Sequence, residues 1–554
     1  MILDSAERIK EYTKRGYWGK KLLIDYFKEH VSEDPDRVCL VDPPNKEQLV
    51  GLTPERLTYR QLDRAVDATA ESFLRMGIQK DDIIIVQLPN CWELAMLYLA
   101  ITRAGALISP VPMQWRESEL RYVGDLTQAR AFITVEEFHD FKHREMAEKL
   151  QSKLPNLKHI ITLRELREMS KGKVTGKLNK VKIDANDIFT LCWTSGTETE
   201  PKGCPLSHNN WIIEGTAELE VTGIKKGETL LTAGPLVNMA SVGTTYIPWL
   251  IVGGTFVLHH PFDPVVWMQQ MIGEKINYTL VVPALVNAIA KHPLVDKFDL
   301  SAVRSITIGG APPALWSAQE FERRWGIEIG NIWGMNEGPG IVSGALDVHD
   351  LEKRIGGLPQ YGKRGIEWKA RILSAIETKL VAPETGEEVT KVGDVGELLY
   401  KGPNVISGYF RRPGLTEKAF DKQGFFHTGD LFQIKEGNFI SFFDRKKDII
   451  IRGGFNISAQ EVENILLGHP KVLDVAAVGM PDETLGEKVC VYVVPREGEE
   501  ITLGELTSFM KEKGIAIYKL PERLEITKEI PRNPVGKMLK ATLREDIKNK
   551  LKSK

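Results

Sequence analysis

Paired cysteines are what this 554-residue chain most plainly lacks. Its five, Cys39, Cys91, Cys192, Cys204 and Cys490, are scattered with neither disulfide-framework nor metal-ligand spacing, which argues against disulfides and predicts free thiols in a reducing compartment. An excess of charge of one sign is missing too. With 73 Lys and Arg against 75 Asp and Glu, the formal net charge is −2, which leaves no basic footprint for nucleic acid and no polybasic membrane patch. The Lys-rich stretch 548–554 reads as a solvated helix end. Long apolar runs are absent as well. Residues 1–30 mix charges with apolar residues and hold no uninterrupted signal-peptide core. The best membrane candidate, 246–258, is about a dozen residues long, well short of a span, and is broken by Pro248 and Gly253-Gly254. Internal repeats and low-complexity segments are also missing. The expectation is a soluble, cytoplasmic protein.

The length exceeds one ordinary domain, so several are expected, one of them large. Residues 60–76 place Leu62, Val66, Ala70 and Phe73 at helical spacing and end at Gly77, as an amphipathic helix with a glycine stop does. The β-branched run 83–86 predicts a buried strand, and 92–103 a mostly apolar helix closed by Gly105. Further short apolar strands are expected at 131–134, 159–162, 255–258, 278–282 and 305–308, separated by helical patterns, which argues for a largely parallel α/β architecture. After about residue 365 the texture changes to alternating strands and Gly-rich turns, at 368–373, 396–400 and 438–443. The charged break Asp444-Arg445-Lys446-Lys447-Asp448 then precedes a new apolar pattern beginning at Ile449, and about a hundred residues of α+β character follow.

The segment with most chemistry in it is Thr194-Ser195-Gly196-Thr197-Glu198-Thr199-Glu200-Pro201-Lys202-Gly203, directly after the apolar run 188–193. A strand entering a Ser/Thr/Gly turn offers successive N–H groups and hydroxyls to one point, and Lys202 adds positive charge. The common nucleoside-triphosphate loop needs Gly-Lys-Ser/Thr opening a helix, whereas here Lys202 follows Pro201 and precedes its glycine, so a different phosphate loop is expected. A second candidate is Gly309-Gly310-Ala311-Pro312-Pro313, where strand 306–308 ends. Ligands bind at the carboxyl ends of strands in open α/β sheets, and small residues there let a flat base lie against the backbone.

The loop 194–203 resembles the signature loop of the adenylate-forming (ANL) superfamily, which includes acyl-CoA synthetases, luciferases and adenylation domains; Glu198-Thr199 stand where the common pattern has Thr-Gly. Five more stretches resemble that superfamily in its order. The resemblance implies an ATP site in which Thr194, Ser195, Gly196, Thr197 and Lys202 cradle phosphates and Gly310, Ala311 and Pro312 receive adenine. Asn331-Ile332-Trp333-Gly334-Met335-Asn336-Glu337 is similar to the aromatic-Gly-x-Thr-Glu motif. By that likeness Asn331, Gly334 and Met335 lie along the nucleotide, Trp333 stacks on adenine, and Asn336 replaces a hydroxyl that contacts the α-phosphate. Glu337, with Thr194, would hold Mg²⁺ through oxygen. Thr428-Gly429-Asp430 matches the ribose-binding Thr-Gly-Asp. In the stretch 444–448, Arg445 would contact the nucleotide and Lys447 would be the hinge at which a small domain swings. Pro531 to Lys540 resembles the C-terminal Pro-x-x-x-x-Gly-Lys motif, which makes Lys537 the candidate catalytic lysine.

What the resemblance implies is an α/β fold with a β-rich subdomain in a large N-terminal domain, 1–444, and a small mobile α+β domain, 445–554. A carboxylate has a poor leaving group, so the implied chemistry is its attack on the α-phosphate of ATP, expelling pyrophosphate and forming an acyl adenylate. Positioning and charge neutralisation by Lys537, Glu337 with Mg²⁺ and the 194–203 loop would dominate. A thiol then takes the acyl group, with Gly453 and Gly454 allowing close approach of a narrow pantetheine arm. Tyr17-Trp18 and the stretches 151–155 and 516–521 resemble aryl and alicyclic acid ligases, including dihydroxybenzoate-adenylating enzymes. Those have a His-Asn pair where this chain has Asn238-Met239, and Met239 fills apolar space without rewarding a phenolic hydroxyl. An apolar ring or a short to medium aliphatic acid is therefore expected, with CoA as acceptor. A carrier-protein pantetheine as acceptor, or an inactive acyl-binding homologue, are the alternatives, and the oligomeric state, homodimer included, is left open.

Overall fold

The computed structural model describes residues 1–194, 200–310, 313–363, 366–453, 455–532 and 538–552. These form two compact units. Of the described residues, the first comprises those of 1–194, 200–378 and 400–426, the second those of 379–399 and 427–552.

Two mostly parallel sheets build the first unit. A six-stranded sheet runs in the order His159–Thr162, Ala131–Thr134, Ile83–Gln87, Leu107–Pro110, Ile188–Trp193, Gly203–Ser207, parallel except for its last pair. The eight-stranded sheet has Thr229–Thr232, Thr255–Leu258, Tyr278–Val281 and Ser305–Gly309 at its parallel centre and ends in the antiparallel hairpin Glu328–Gly334 and Gly340–Ser343. The apolar runs 83–86, 131–134 and 305–308 are buried along their whole length, and 159–162, 255–258 and 278–281 in larger or smaller part. The helix expected over 60–76 is Tyr59–Arg75. Thr58 caps it: its hydroxyl accepts from the Gln61 N–H, and the Gln61 side chain accepts from the Thr58 N–H, so two orphan donors are satisfied at once. The helix Trp92–Arg103 has the predicted bounds.

One expected strand is not there. Residues 368–373 alternate polar and apolar, but the backbone makes a short 3₁₀ turn over Arg371–Ala375. The reason is where its donors go: the Ile372 N–H bonds the Glu220 carboxylate at 2.9 Å and the Lys369 N–H bonds Asp347, leaving no ladder to form. The alternation reflects half-burial, with Ile372 and Leu373 inward.

In the second unit, Phe426–Lys435 pairs antiparallel with Phe439–Arg445. Beyond them Val472–Asp482 and Gly486–Pro495 form a long antiparallel pair, extended by Ile450–Arg452 and by Arg523–Ile526. Period-two alternation sorts this pair's side chains to two cores. Val475, Ala477, Val489, Val491 and Val493 pack with helices Ala459–Leu466 and Leu503–Glu512. Ala476, Val478, Cys490, Tyr492 and Val494 pack with Leu543 and Ile547 of Lys540–Lys552. The Lys-rich helix end is thus solvated on one side only.

All five cysteines are buried and unpaired. Among the described residues no helix is long and apolar enough to cross a membrane; the stretch 246–258 bends from helix into the strand Thr255–Leu258.

Candidate active site

The strands on either side of the phosphate-type loop pair with each other. Strand Ile188–Trp193, buried along its whole length, pairs antiparallel with Gly203–Ser207, ending at the register pair Trp193–Gly203. Past that pair the Thr194 N–H donates to the Lys202 carbonyl at 3.0 Å, and the Lys202 N–H donates to the Thr194 hydroxyl at 3.1 Å. These two bonds fasten the base of the loop. Gly203 packs tightly: a methyl there would sit 3.1 Å from Leu191 Cδ1 and 3.3 Å from Phe410 Cβ. Ser195, Gly196 and Thr197, with Glu198 and Thr199, lie outside the described residues.

The hairpin at the edge of the eight-stranded sheet brings the second motif to the same place. Trp333 pairs with Ile341 and Gly334 with Gly340, and the Met335 N–H donates to the Pro339 carbonyl, so residues 334–340 make a tight turn with Asn336 and Glu337 on it. Glu337 is buried. Its Oε1 accepts from the Tyr409 hydroxyl at 2.7 Å, and that hydroxyl accepts from Lys202 Nζ at 3.0 Å; the Lys202 ammonium is 3.7 Å from Glu337 Oε1 and 4.5 Å from the Tyr409 ring centre. Burial first, then the Glu337 charge, pushes the Tyr409 phenol far above its ordinary range, so it stays a neutral donor. Asn336 uses both ends of its amide: Nδ2 donates to the Trp193 carbonyl at 2.8 Å, and Oδ1 accepts from the Met239 N–H at 2.9 Å. The loop base, the hairpin and the segment at Asn238-Met239 are thereby joined. Asn238 caps its own short helical turn, its Oδ1 accepting from the Ser241 N–H at 3.2 Å. Met239 is buried.

Gly310 follows strand Ser305–Gly309 with φ +88°, an exposed turn at the carboxyl end of a central strand; Ala311 and Pro312 lie outside the described residues. Asn331 is buried, its amide donating to the Ile355 carbonyl at 3.3 Å, while Trp333 is half-buried and Gly334 exposed. Behind the hairpin, buried Glu214 accepts from Asn404 Nδ2 at 3.1 Å, and the same nitrogen lies 2.8 Å from the Gly338 carbonyl. Burial pushes the Glu214 carboxyl up to about 7 and that of Glu218, one turn along, up to about 8.

The second unit carries the other motifs. Asp430 and Arg445 face each other across the antiparallel ladder, with Arg445 Nε 3.6 Å from Asp430 Oδ1. Gly429, at φ +71°, turns its N–H onto Glu397, which also takes the Lys446 ammonium at 3.0 Å. Lys447 is exposed in a tight turn whose Asp448 N–H donates to the Arg445 carbonyl. Asp444 is buried and receives the N–H groups of Arg445 and Gln460. Gly453, at φ +56°, donates its N–H to the Leu485 carbonyl; Gly454 and Lys537 lie outside the described residues. Tyr409, Asn404, Glu214 and Glu397 were not singled out from the sequence. Nothing in the spacing of isolated polar residues flags partners brought together by tertiary folding.

Among the described residues no cluster of three or more His, Cys, Asp or Glu could hold a metal ion by itself. Glu337 offers one carboxylate beside the Thr194–Lys202 loop base, a hard-oxygen donor set that fits Mg²⁺ carried in on phosphates.

Comparison with known proteins shows the family. The AMP-binding enzyme family profile matches residues 27–410, and the profile of the AMP-binding enzyme C-terminal domain matches 461–537. The chain is 31% identical to a medium-chain fatty-acid–CoA ligase of Escherichia coli over 99% of this chain and 94% of that protein. It is also 31% identical to a 2,3-dihydroxybenzoate-AMP ligase of Bacillus subtilis over 98% and 97%. The fold is that of ATP-bound MatB from Rhodopseudomonas palustris, with a TM-score of 0.82 over 96% of this chain and 99% of that one at 23% identity. The chain therefore belongs to the AMP-binding enzyme family, the adenylate-forming enzymes its motifs resemble.

Proposed function

We propose that this protein is an AMP-forming acid–thiol ligase that activates a carboxylic acid with ATP and transfers the acyl group to CoA. The observation that carries the reading is the meeting of Lys202 with Glu337, 3.7 Å apart, where the Thr194–Lys202 loop base and the 334–340 hairpin converge. A cation on a phosphate-type loop beside a buried carboxylate is what a metal-bound triphosphate needs. In the reaction one carboxylate oxygen of the acid bonds to the α-phosphorus, and the bond to the bridging oxygen of pyrophosphate breaks. Mg²⁺, when bound, neutralises phosphate charge. The chain's own share is positioning: Lys202 on phosphate oxygens, Glu337 and Thr194 on the metal side, Asp430 on the ribose hydroxyls, Arg445 on the nucleotide, Trp333 and Gly310 on adenine. Lys537 has the catalytic lysine's role by its motif, and Gly453 with Gly454 the pantetheine path. Asn336 acts through the backbone groups it bridges, at the junction of phosphate and acyl segments.

The acid's carbon skeleton lies against Met239, which favours an apolar ring or a short to medium chain. Five buried free thiols suit a reducing, cytoplasmic setting.

The test is pyrophosphate release with Mg-ATP over benzoate, cyclohexanecarboxylate, hexanoate and dihydroxybenzoate, with and without CoA, for wild type and Lys537→Ala. Lys537-dependent pyrophosphate with an apolar acid, and an acyl-CoA when CoA is added, support the reading. Pyrophosphate without acyl-CoA transfers the acceptor's role to a carrier protein, and dihydroxybenzoate as the preferred acid overturns the substrate assignment.

A further inference from the structure

Lys202 and Glu337 form an ion pair with no hydrogen bond between them. Their 3.7 Å separation is outside hydrogen-bond range, yet each bonds the same atom, the Tyr409 hydroxyl, at 3.0 and 2.7 Å. That hydroxyl has one proton, which goes to the carboxylate, and lone pairs, one of which takes the ammonium. The ring beneath adds a cation–π contact to Lys202 at 4.5 Å.

The backbone around Tyr409 is tied to both partners. The Ile406 N–H donates to the Glu337 carbonyl at 2.9 Å, and the Phe410 N–H donates to the Gly203 carbonyl, next to Lys202, at 2.9 Å. The Tyr409 N–H itself donates to the Thr416 hydroxyl at 2.9 Å. Gly408 packs closely here: a methyl there would lie 2.6 Å from Thr416 Cγ2, so Thr416 would have to shift. Segment 406–410 is thus a brace between the hairpin that carries Glu337 and the loop base that carries Lys202.

We propose that Tyr409 is a positioning residue for metal-nucleotide binding: its hydroxyl bonds both Lys202 and Glu337 and keeps their ion pair from closing into a direct hydrogen-bonded contact. The inference rests on the function proposed above. A direct pair would satisfy both charges with each other, and Mg-ATP would have to break it before Lys202 could reach phosphate and Glu337 the metal. With the hydroxyl in place, Glu337 Oε1 is held by a neutral donor, so Lys202 can leave the phenol for phosphate without stranding a buried carboxylate. This is preorganisation, charges held ready at little reorganisation cost.

Tyr409→Phe keeps the ring and removes the bridge. Calorimetric titration of Mg-ATP without acid should show Kd raised about tenfold, the order expected for losing a hydrogen bond to a charged group. In turnover the half-saturating Mg²⁺ concentration should rise in parallel, with KM for the acid within about twofold of wild type. Thermal melting of both proteins establishes that the variant is folded. Unchanged Mg-ATP affinity in a folded Phe variant overturns the inference alone, as does equal weakening of Mg-ATP and acid, which is what loosened packing would give. A wild type that binds no Mg-ATP overturns the functional reading and the inference with it.

Discussion

Asn336 Nδ2 donates to the Trp193 carbonyl at 2.8 Å while its Oδ1 receives the Met239 N–H at 2.9 Å, so one side chain joins the loop base to the segment proposed to hold the acid. The family pattern has threonine at this position, which is too short to span both groups. Asn336→Ala would leave a half-buried carbonyl and amide without their partners, and is expected to cost about 1–3 kcal/mol of stability. Asn336→Thr should recover part of that cost but not the bridge. Denaturant unfolding of the two variants checks the order, and kinetics should show KM for acid and for ATP rising together, because the bridge serves both segments.

The floor of the proposed acyl segment is tight at Gly243. A methyl there would sit 3.2 Å from Met239 Sδ and 3.1 Å from Glu214 Cγ. Gly243→Ala should push Met239 into the space an acid would use, lowering kcat/KM for the longest accepted acid by about tenfold or more and that for the shortest much less. Met239→Ala should do the reverse. An acid panel in which both variants lose activity evenly would count against Met239 as the wall.

These variants act at sites of unequal legibility. The buried strands could be read because a parallel sheet covered on both faces needs unbroken β-branched runs, and 131–134, 159–162 and 255–258 fall on the observed strands. The hairpin 334–340 could be read as a motif because its residues are contiguous. Tyr409 could not: its role exists only where segment 406–410 is stitched to residues 203 and 337, far away in sequence. Glu214 and Glu218 look like the polar face of an amphipathic helix, yet both are buried, with Tyr278 and Thr307 on strands and the Asn404 amide on a turn as partners for helix His208–Thr222. The alternation at 368–373 misled for the complementary reason, since side-chain carboxylates took the backbone donors a ladder would have used.

Burial raises Glu214 from an ordinary 4.5 to about 7 and Glu218 to about 8. A carboxyl whose folded pKa is raised gives stability that is fully present below the ordinary value and lost as pH rises through the folded one. The stability of the first unit should therefore decline between about pH 5 and pH 8. Glu214→Gln keeps an acceptor for Asn404 and carries no charge, so it should flatten that decline and gain about 1–3 kcal/mol at pH 8 while changing little at pH 5. Urea unfolding at the two pH values decides it; a parallel slope in the variant would mean that other groups carry the dependence.

Lys540 begins the last helix, just after the segment that holds Lys537, and its Nζ lies 2.8 Å from Glu463 Oε1, both residues being buried. Glu463 also receives the Ala477 N–H at 2.7 Å, and burial, opposed by Lys540, sets its carboxyl at about 7. Lys540→Met removes the compensating charge and should destabilise by about 3–5 kcal/mol near neutral pH. At pH 5 the stranded carboxyl can take a proton instead, so the deficit should shrink there and grow as pH rises through 7. Adding Glu463→Gln should restore much of the loss at pH 8, because the penalty lies in the uncompensated charge rather than in the missing lysine. Equal deficits at both pH values, with no recovery in the double variant, would show that Lys540 acts by packing alone. A recovered double variant that is stable yet slow in pyrophosphate release would show that the ion pair also serves the reaction and not the fold alone.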